Sequence, residues 1–200
     1  MRPFRQIWRI QSSTYEISRG PVDAIIVPSY GMCKDRLPEM SQHSIRLGIW
    51  WQTTHFPNAS LIVTTCSYTG EALEWQLKRY LLDDLKFPEQ KVIWVRSIDS
   101  TIDEGDKVLA SIVWAVKGIL GITGDTHSRS FYNLYAKLFP QAKIFVDCIP
   151  FEFEFQPDHL ITDQTTAGKW ARSALIREFV FQMPFGFWIA RHAPHHKIKN

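Results

Sequence analysis

At 200 residues and 23.3 kDa the chain is long enough for one full domain. Folding at this length buries roughly 70% of the unfolded surface, so no disulfide or structural metal is required. Hydrophobic residues at 45% and charged residues at 22% exclude a disordered, collagen-like or coiled-coil chain. The net charge of +3 divides into +3 over residues 1–20, −5 over 21–168 and +5 over 169–200, which is not the dense basic face of a nucleic-acid binder.

The β-branched run over residues 22–27, bounded by Gly20-Pro21 and Pro28, predicts a buried strand. Helical character follows over 39–55 and stops at Pro57. A second strand is predicted over 60–64. The next helix, over 71–85, aligns Leu73, Leu77, Tyr80, Leu81 and Leu85 and ends before Pro88. Residues 91–95 predict a third strand. A helix over 103–117 has acids in its first turn and a base in its last, as the helix dipole favours. A fourth strand over 118–123, a helix over 128–139 and a fifth strand over 143–147 complete the pattern. The last long helix is expected over 164–182. Two pieces stand outside: residues 4–10 as an extra strand, and the alternating FEFEF of 151–155 as a half-exposed strand or hairpin arm.

Five strand–helix repeats imply an α/β fold, a parallel sheet covered on both faces. No linker, repeat or low-complexity segment divides the chain. Residues 1–200 are read as a single domain, with its core over 22–150 and a C-terminal helix and tail over 163–200. Cys33, Cys66 and Cys148 form no C-x-x-C pair, which argues against a zinc or thioredoxin-type motif and fits a reducing compartment. The longest uncharged apolar stretch, 179–190, contains Gln182 and Pro184, whereas a spanning helix needs about 20 apolar residues. The expectation is a soluble, cytoplasmic protein without a transmembrane segment.

Ligands of open parallel sheets bind outside the carboxyl ends of the strands. That rule selects the loops 28–40, 65–70, 96–102, 124–127 and 148–163. They are rich in hydroxyls and several lead into helices, whose N-termini offer N–H groups to anions. Ser29, Gly31, Thr65, Ser100, Thr101 and Thr123 are the small and hydroxyl positions expected to line a ligand crevice. The same residue types are also ordinary caps and turns. No G-x-G-x-x-G, P-loop or G-x-S-x-G motif is present. His127 follows the fourth strand and suits an acid or base near neutral pH. Arg129, two residues on, suits an anion. Glu71, Asp99 and Asp103 are either site acids or first-turn dipole partners. The His-rich tail with His192, His195 and His196 could hold a metal but reads first as a frayed, solvated end, and no metal is assigned. The aromatic segment from Phe179 to Trp188 is core, or a surface for a partner or a second copy of the chain.

The order of motifs resembles the SanA/ElyC/YdcF-like proteins, a bacterial group named after a domain of unknown function. The carrying residues are Asp23 to Val27 with Gly31, Arg46-Leu47, Ala59 to Thr64, Gly70-Glu71-Ala72, Ser100 to Asp103, and Ile122-Thr123 with His127 to Ser130. The resemblance spans residues 22–150 and implies a Rossmann-like three-layer sandwich with a mostly parallel sheet of about five strands. It implies that Arg46, Glu71, Thr101, Asp103, His127 and Arg129 converge at one cleft. One member of that group is associated with S-adenosylmethionine and others with envelope or polysaccharide metabolism. This chain departs in its first loop, Pro28-Ser29-Tyr30-Gly31, where the group is Gly-rich, and in Ser100, where the group has Asn. It also lacks the membrane anchor many members carry, which favours a soluble role.

The reading is an enzyme for a small anionic or nucleotide-like molecule. Arg46 and Arg129 hold the anion, His127 is the acid/base, and Glu71 or Asp103 orients the His or binds a substrate hydroxyl. Its rival is a module that binds S-adenosylmethionine or a nucleotide without turnover. A third reading is an interaction protein that uses the Phe179 to Trp188 segment.

Overall fold

In the computed structural model, which describes residues 9–66 and 70–153 together with Asp158, Ile176, Phe179, Val180 and Met183, five apolar runs become five strands. They are β1 (Ala24–Val27), β2 (Ser60–Cys66), β3 (Val92–Ile98), β4 (Gly118–Gly124) and β5 (Lys143–Ile149). Every residue of β1 and β4 is buried. Strands with no wet face need helices on both sides. All pairings are parallel, in the order β3-β2-β1-β4-β5. Ala24 pairs with Ser60 on one side and with Ile119 on the other, which fixes β1 at the centre.

A short helix α1 (Thr14–Ser18) precedes the sheet. The helices α2 (Glu39–Thr54), α3 (Gly70–Lys78), α4 (Thr101–Ser111) and α5 (Ser128–Leu138) alternate with the strands. Met40, Ile45 and Trp51 of α2 and Leu73 and Leu77 of α3 pack on the face formed by Ile25, Val27, Leu61, Val63 and Leu120. Val108 of α4 and Phe131, Leu134 and Tyr135 of α5 cover the other face, with Ala24, Ile26, Ile62 and Ile119. The alternate residues of each strand thus feed two separate apolar layers. The result is a Rossmann-like three-layer α/β fold.

The structure departs from the expected elements at four places. The helix over 71–85 changes character: after α3 the chain widens into a π-helix, Arg79–Asp84, where Leu85 N–H donates to Tyr80 O at 3.0 Å. The helix expected over 103–117 stops at Ser111. The β-branched Ile112-Val113 follows, and the N–H groups of Lys117 and Gly118 donate to Asp23 Oδ2 instead of to a helix. The FEFEF segment begins as a 3-10 turn, Phe151–Phe153, and not as a strand, because Phe153 N–H closes back on Pro150 O. Finally α1, which the periodicity did not suggest, forms on a capping box in which Ser13 and Glu16 satisfy each other's backbone N–H groups.

Residues 9–12 run beside β5, where Ser12 N–H donates to Val146 O at 2.8 Å and Cys148 N–H donates to Gln11 Oε1 at 2.7 Å. Residues 4–8, most of the expected strand over 4–10, lie outside the described residues, as does nearly all of 154–200 with the expected helix over 164–182 and the His-rich tail. Phe179 is described and is exposed. Among the described residues no helix is long and apolar enough to cross a membrane.

Candidate functional site

The strand order reverses between β1 and β4, so the connections leaving their carboxyl ends turn to opposite faces of the sheet. The crevice expected there is occupied by a side chain. Tyr30 folds into it and is 5% exposed. Its hydroxyl accepts the N–H of Gly124 at 2.7 Å and shares a 2.5 Å hydrogen bond with Thr123 Oγ1. Gly31 follows with φ 69°, a left-handed conformation that favours glycine, and this turn lets Tyr30 point inward.

His127 stands across from that phenol. The two rings meet edge to face with centroids 6.4 Å apart, and His127 is 8% exposed. Its backbone N–H donates to Gly124 O at 3.0 Å, a tight turn that carries the chain from β4 into α5. His127 is also the N-cap of α5, and its side chain makes no capping bond. The first turn of α5 contains no acid and includes Arg129, which is half-buried. Asp125, at the base of this turn, meets Arg9 Nε at 3.1 Å.

The neighbouring hydroxyls serve the fold. Ser29 N–H donates to Thr64 Oγ1 at 3.1 Å, and Ser29 Oγ lies 3.2 Å from Cys66 Sγ. Thr65 Oγ1 accepts the N–H of Ser97, a residue held at φ 56°. Ser100 is the N-cap of α4 and its Oγ accepts Asp103 N–H at 3.2 Å. Asp103 Oδ2 accepts from Asp99 N–H at 2.9 Å and from Lys107 Nζ at 2.8 Å. Thr101 is the first residue of α4 and is half-buried. Glu71 is exposed on the first turn of α3. Arg46 is exposed on α2, and its Nε donates to Tyr80 OH at 2.5 Å.

The structure therefore brings together Tyr30, Thr123 and His127, with Arg129 two residues further on in the first turn of α5. Ser29 lies at the adjacent β2 end with Cys66. Ser100 and Asp103 are engaged in capping α4, and Arg46 is engaged with the π-helical segment. Sequence reasoning passed over Tyr30 as a ligand-crevice residue. Its signal was an aromatic in the first loop, where a phosphate site would want glycine.

Glu104 was also missed. Asp103 points outward to Lys107, whereas Glu104, the next residue, is buried at 7% exposure. Burial, and secondarily the charge of Asp103, push its carboxyl up to about 8, against a hydrogen bond with Thr64 that acts the other way. Burial and then the Glu104 charge push the Tyr135 phenol up as well. The buried thiols are weak nucleophile candidates. Burial first, then Asp158, pushes Cys33 up to about 11, and burial first pushes Cys148 up to about 12. Among the described residues no three His, Cys, Asp or Glu side chains are grouped to hold a metal ion.

Comparison with known proteins finds no matching family model, no matching curated protein and no matching solved structure.

Proposed function

We propose that the protein is an enzyme that binds a small anionic or nucleotide-like molecule at the carboxyl ends of β1 and β4, with His127 as acid/base and Arg129 as the anion contact. One observation carries this reading. Of the α-helices α1–α5 only α5 opens without an acid in its first turn, and it opens at the strand reversal with His127 at its cap. A helix N-terminus attracts anions through its N–H groups and dipole. The acids Glu39, Glu71 and Asp103 reduce that attraction at α2, α3 and α4. Glu71, exposed to solvent, is the acid available to a substrate hydroxyl. Arg46 is a secondary contact, since Tyr80 already engages it. Kinship with the SanA/ElyC/YdcF-like proteins belongs to the same reading, as does a cytoplasmic setting, which the buried thiols of Cys33, Cys66 and Cys148 support.

A thermal-shift screen with inorganic phosphate, a nucleoside monophosphate and S-adenosylmethionine tests it. A ligand at a hundred times its Kd stabilises the fold by about 2.7 kcal/mol. Arg129→Ala should abolish that shift. His127→Ala should keep most of the binding and lose turnover. If both variants match the parent in shift and turnover, the assignment is wrong. A shift with no product after prolonged incubation selects the non-catalytic binding module instead.

A further inference from the structure

Residues 9–12 run antiparallel to β5 along its outer edge. Ser12 N–H donates to Val146 O at 2.8 Å, and the Cys148 thiol donates to Ile10 O at 3.2 Å. Two β5 amides are satisfied by side chains of this segment, where a further strand would offer carbonyls. Val146 N–H donates to Ser12 Oγ at 3.1 Å, and Cys148 N–H donates to Gln11 Oε1 at 2.7 Å.

The segment continues past β5 to the β4–α5 turn and meets it by two routes. Ile10 N–H donates to Ser128 Oγ at 3.1 Å, and that hydroxyl donates to Asp125 O at 2.9 Å. Arg9 Nε meets Asp125 Oδ1 at 3.1 Å. The Arg9 guanidinium is fixed at a second point, because Nη2 donates to Gln11 Oε1 at 2.9 Å. Gln11 is itself anchored, its Nε2 donating to Asp147 Oδ1 at 2.8 Å. Asp125 is 5% exposed and Arg9 is 39% exposed. A carboxylate this buried is costly without a partner. The turn held in this way is the one in which His127 N–H donates to Gly124 O and Phe131 N–H donates to His127 O, both at 3.0 Å. Asp125 and Ser128 stand on either side of His127 in it.

We propose that Arg9 is a positioning residue of the β1–β4 crevice, an inference that rests on placing His127 in that site. Residues 9–12 form a strap, and its Arg9 and Ile10 hold Asp125 and Ser128 so that the turn presents His127 in one place. Arg9 also balances the charge of Asp125 within the turn. Without Arg9 a buried carboxylate two residues from His127 is left uncompensated, and a nearby negative charge favours the protonated imidazole. Without the carboxylate, Arg9 is left uncompensated and disfavours it. A contact that only stabilised the fold would not give effects of opposite sign.

The His127 ring of the full chain, without ligand, is titrated by NMR, its signal identified by its loss in His127→Asn. Arg9→Ala should raise the midpoint by about half a unit or more, as an unpaired acid does to a neighbouring imidazole. Asp125→Asn should lower it, with a melting curve checking that this buried variant folds. Arg9→Lys should return it toward the parent's value. In Arg9→Ala the Phe131 amide, which closes the first turn on His127, should exchange about tenfold faster, with the Ile26 amide of β1 unchanged. An unchanged midpoint in Arg9→Ala, shifts of the same sign in Arg9→Ala and Asp125→Asn, or Phe131 exchange equal to the parent's overturns the strap. These readings need no ligand, so they stand or fall apart from the ligand screen. A parent that no ligand stabilises overturns the anion site, whereas the outcomes above overturn the strap alone.

Discussion

Asp103 and Glu104 are adjacent on α4 and face opposite surroundings. Asp103 is fixed outward by Lys107 and by the Asp99 N–H. Glu104 is turned in toward Thr64 and Tyr135, and both its Oε1 and the Tyr135 hydroxyl lack partners among the described residues. A carboxyl whose folded value is about 8, against an ordinary 4.5, holds its proton longer in the folded protein than in the unfolded chain. Its contribution to stability is therefore full below the unfolded value and is lost as pH rises through the folded one. Between these values the folded state binds the extra proton, so stability falls with rising pH. Each unit of difference corresponds to about 1.4 kcal/mol. Glu104→Gln keeps the shape and removes the charge. Urea denaturation from about pH 5 to about pH 9 should show a falling midpoint in the parent, a flatter profile in the variant, and a variant more stable than the parent at the alkaline end. Parallel profiles would show that Glu104 does not titrate in this way.

At the scale of elements, β4 and α5 depend on a position with no side chain. A Cβ at Gly121 would lie 2.2 Å from Phe131 Cε1. The ring cannot yield easily, because it stacks on Tyr135 with centroids 4.2 Å apart and is 2% exposed. Gly121→Ala should cost about 1–3 kcal/mol through overpacking. A denaturation midpoint equal to the parent's would mean that α5 shifts freely on the sheet. The strands and their parallel arrangement were legible because buried β-branched runs bounded by Gly and Pro have few other uses. The end of α4 was not legible: it depends on Asp23 capturing the N–H of Lys117, a contact across 94 positions of chain. The π-turn was hidden because its apolar residues keep helical spacing. The capping box of α1 was written in Ser13 and Glu16, on a segment too short for periodicity to register. At the end of β4, the position of His127 at the head of α5 was legible from its place after the strand. The inward turn of Tyr30 was not, because it depends on Gly31 and on partners from β4.

For the whole molecule, burial is graded across the sheet. β1 and β4 are covered on both faces and paired on both edges. On one flank β5 is backed by residues 9–12, and Asp147 ties that segment to α2, accepting from Gln11 Nε2 at 2.8 Å and from Trp51 Nε1 at 2.7 Å. On the other flank β3 is the last strand among the described residues, and its carboxyl half exposes Arg96 and Ser97. Amides that exchange only through global unfolding are those in the most buried elements, and edges open at lower free energy. Native-state hydrogen exchange in low urea should therefore place β1 and β4 at the global unfolding free energy. The amides at the carboxyl end of β3 should exchange by smaller openings with little urea dependence. The strand ends that form the β1–β4 crevice would then lie on the most persistent part of the sheet. The contacts proposed for a ligand, Arg129 and the α5 N-terminus, would be held on a rigid base. Uniform protection across all five strands would remove that distinction, and faster exchange in β4 than in β3 would reverse it.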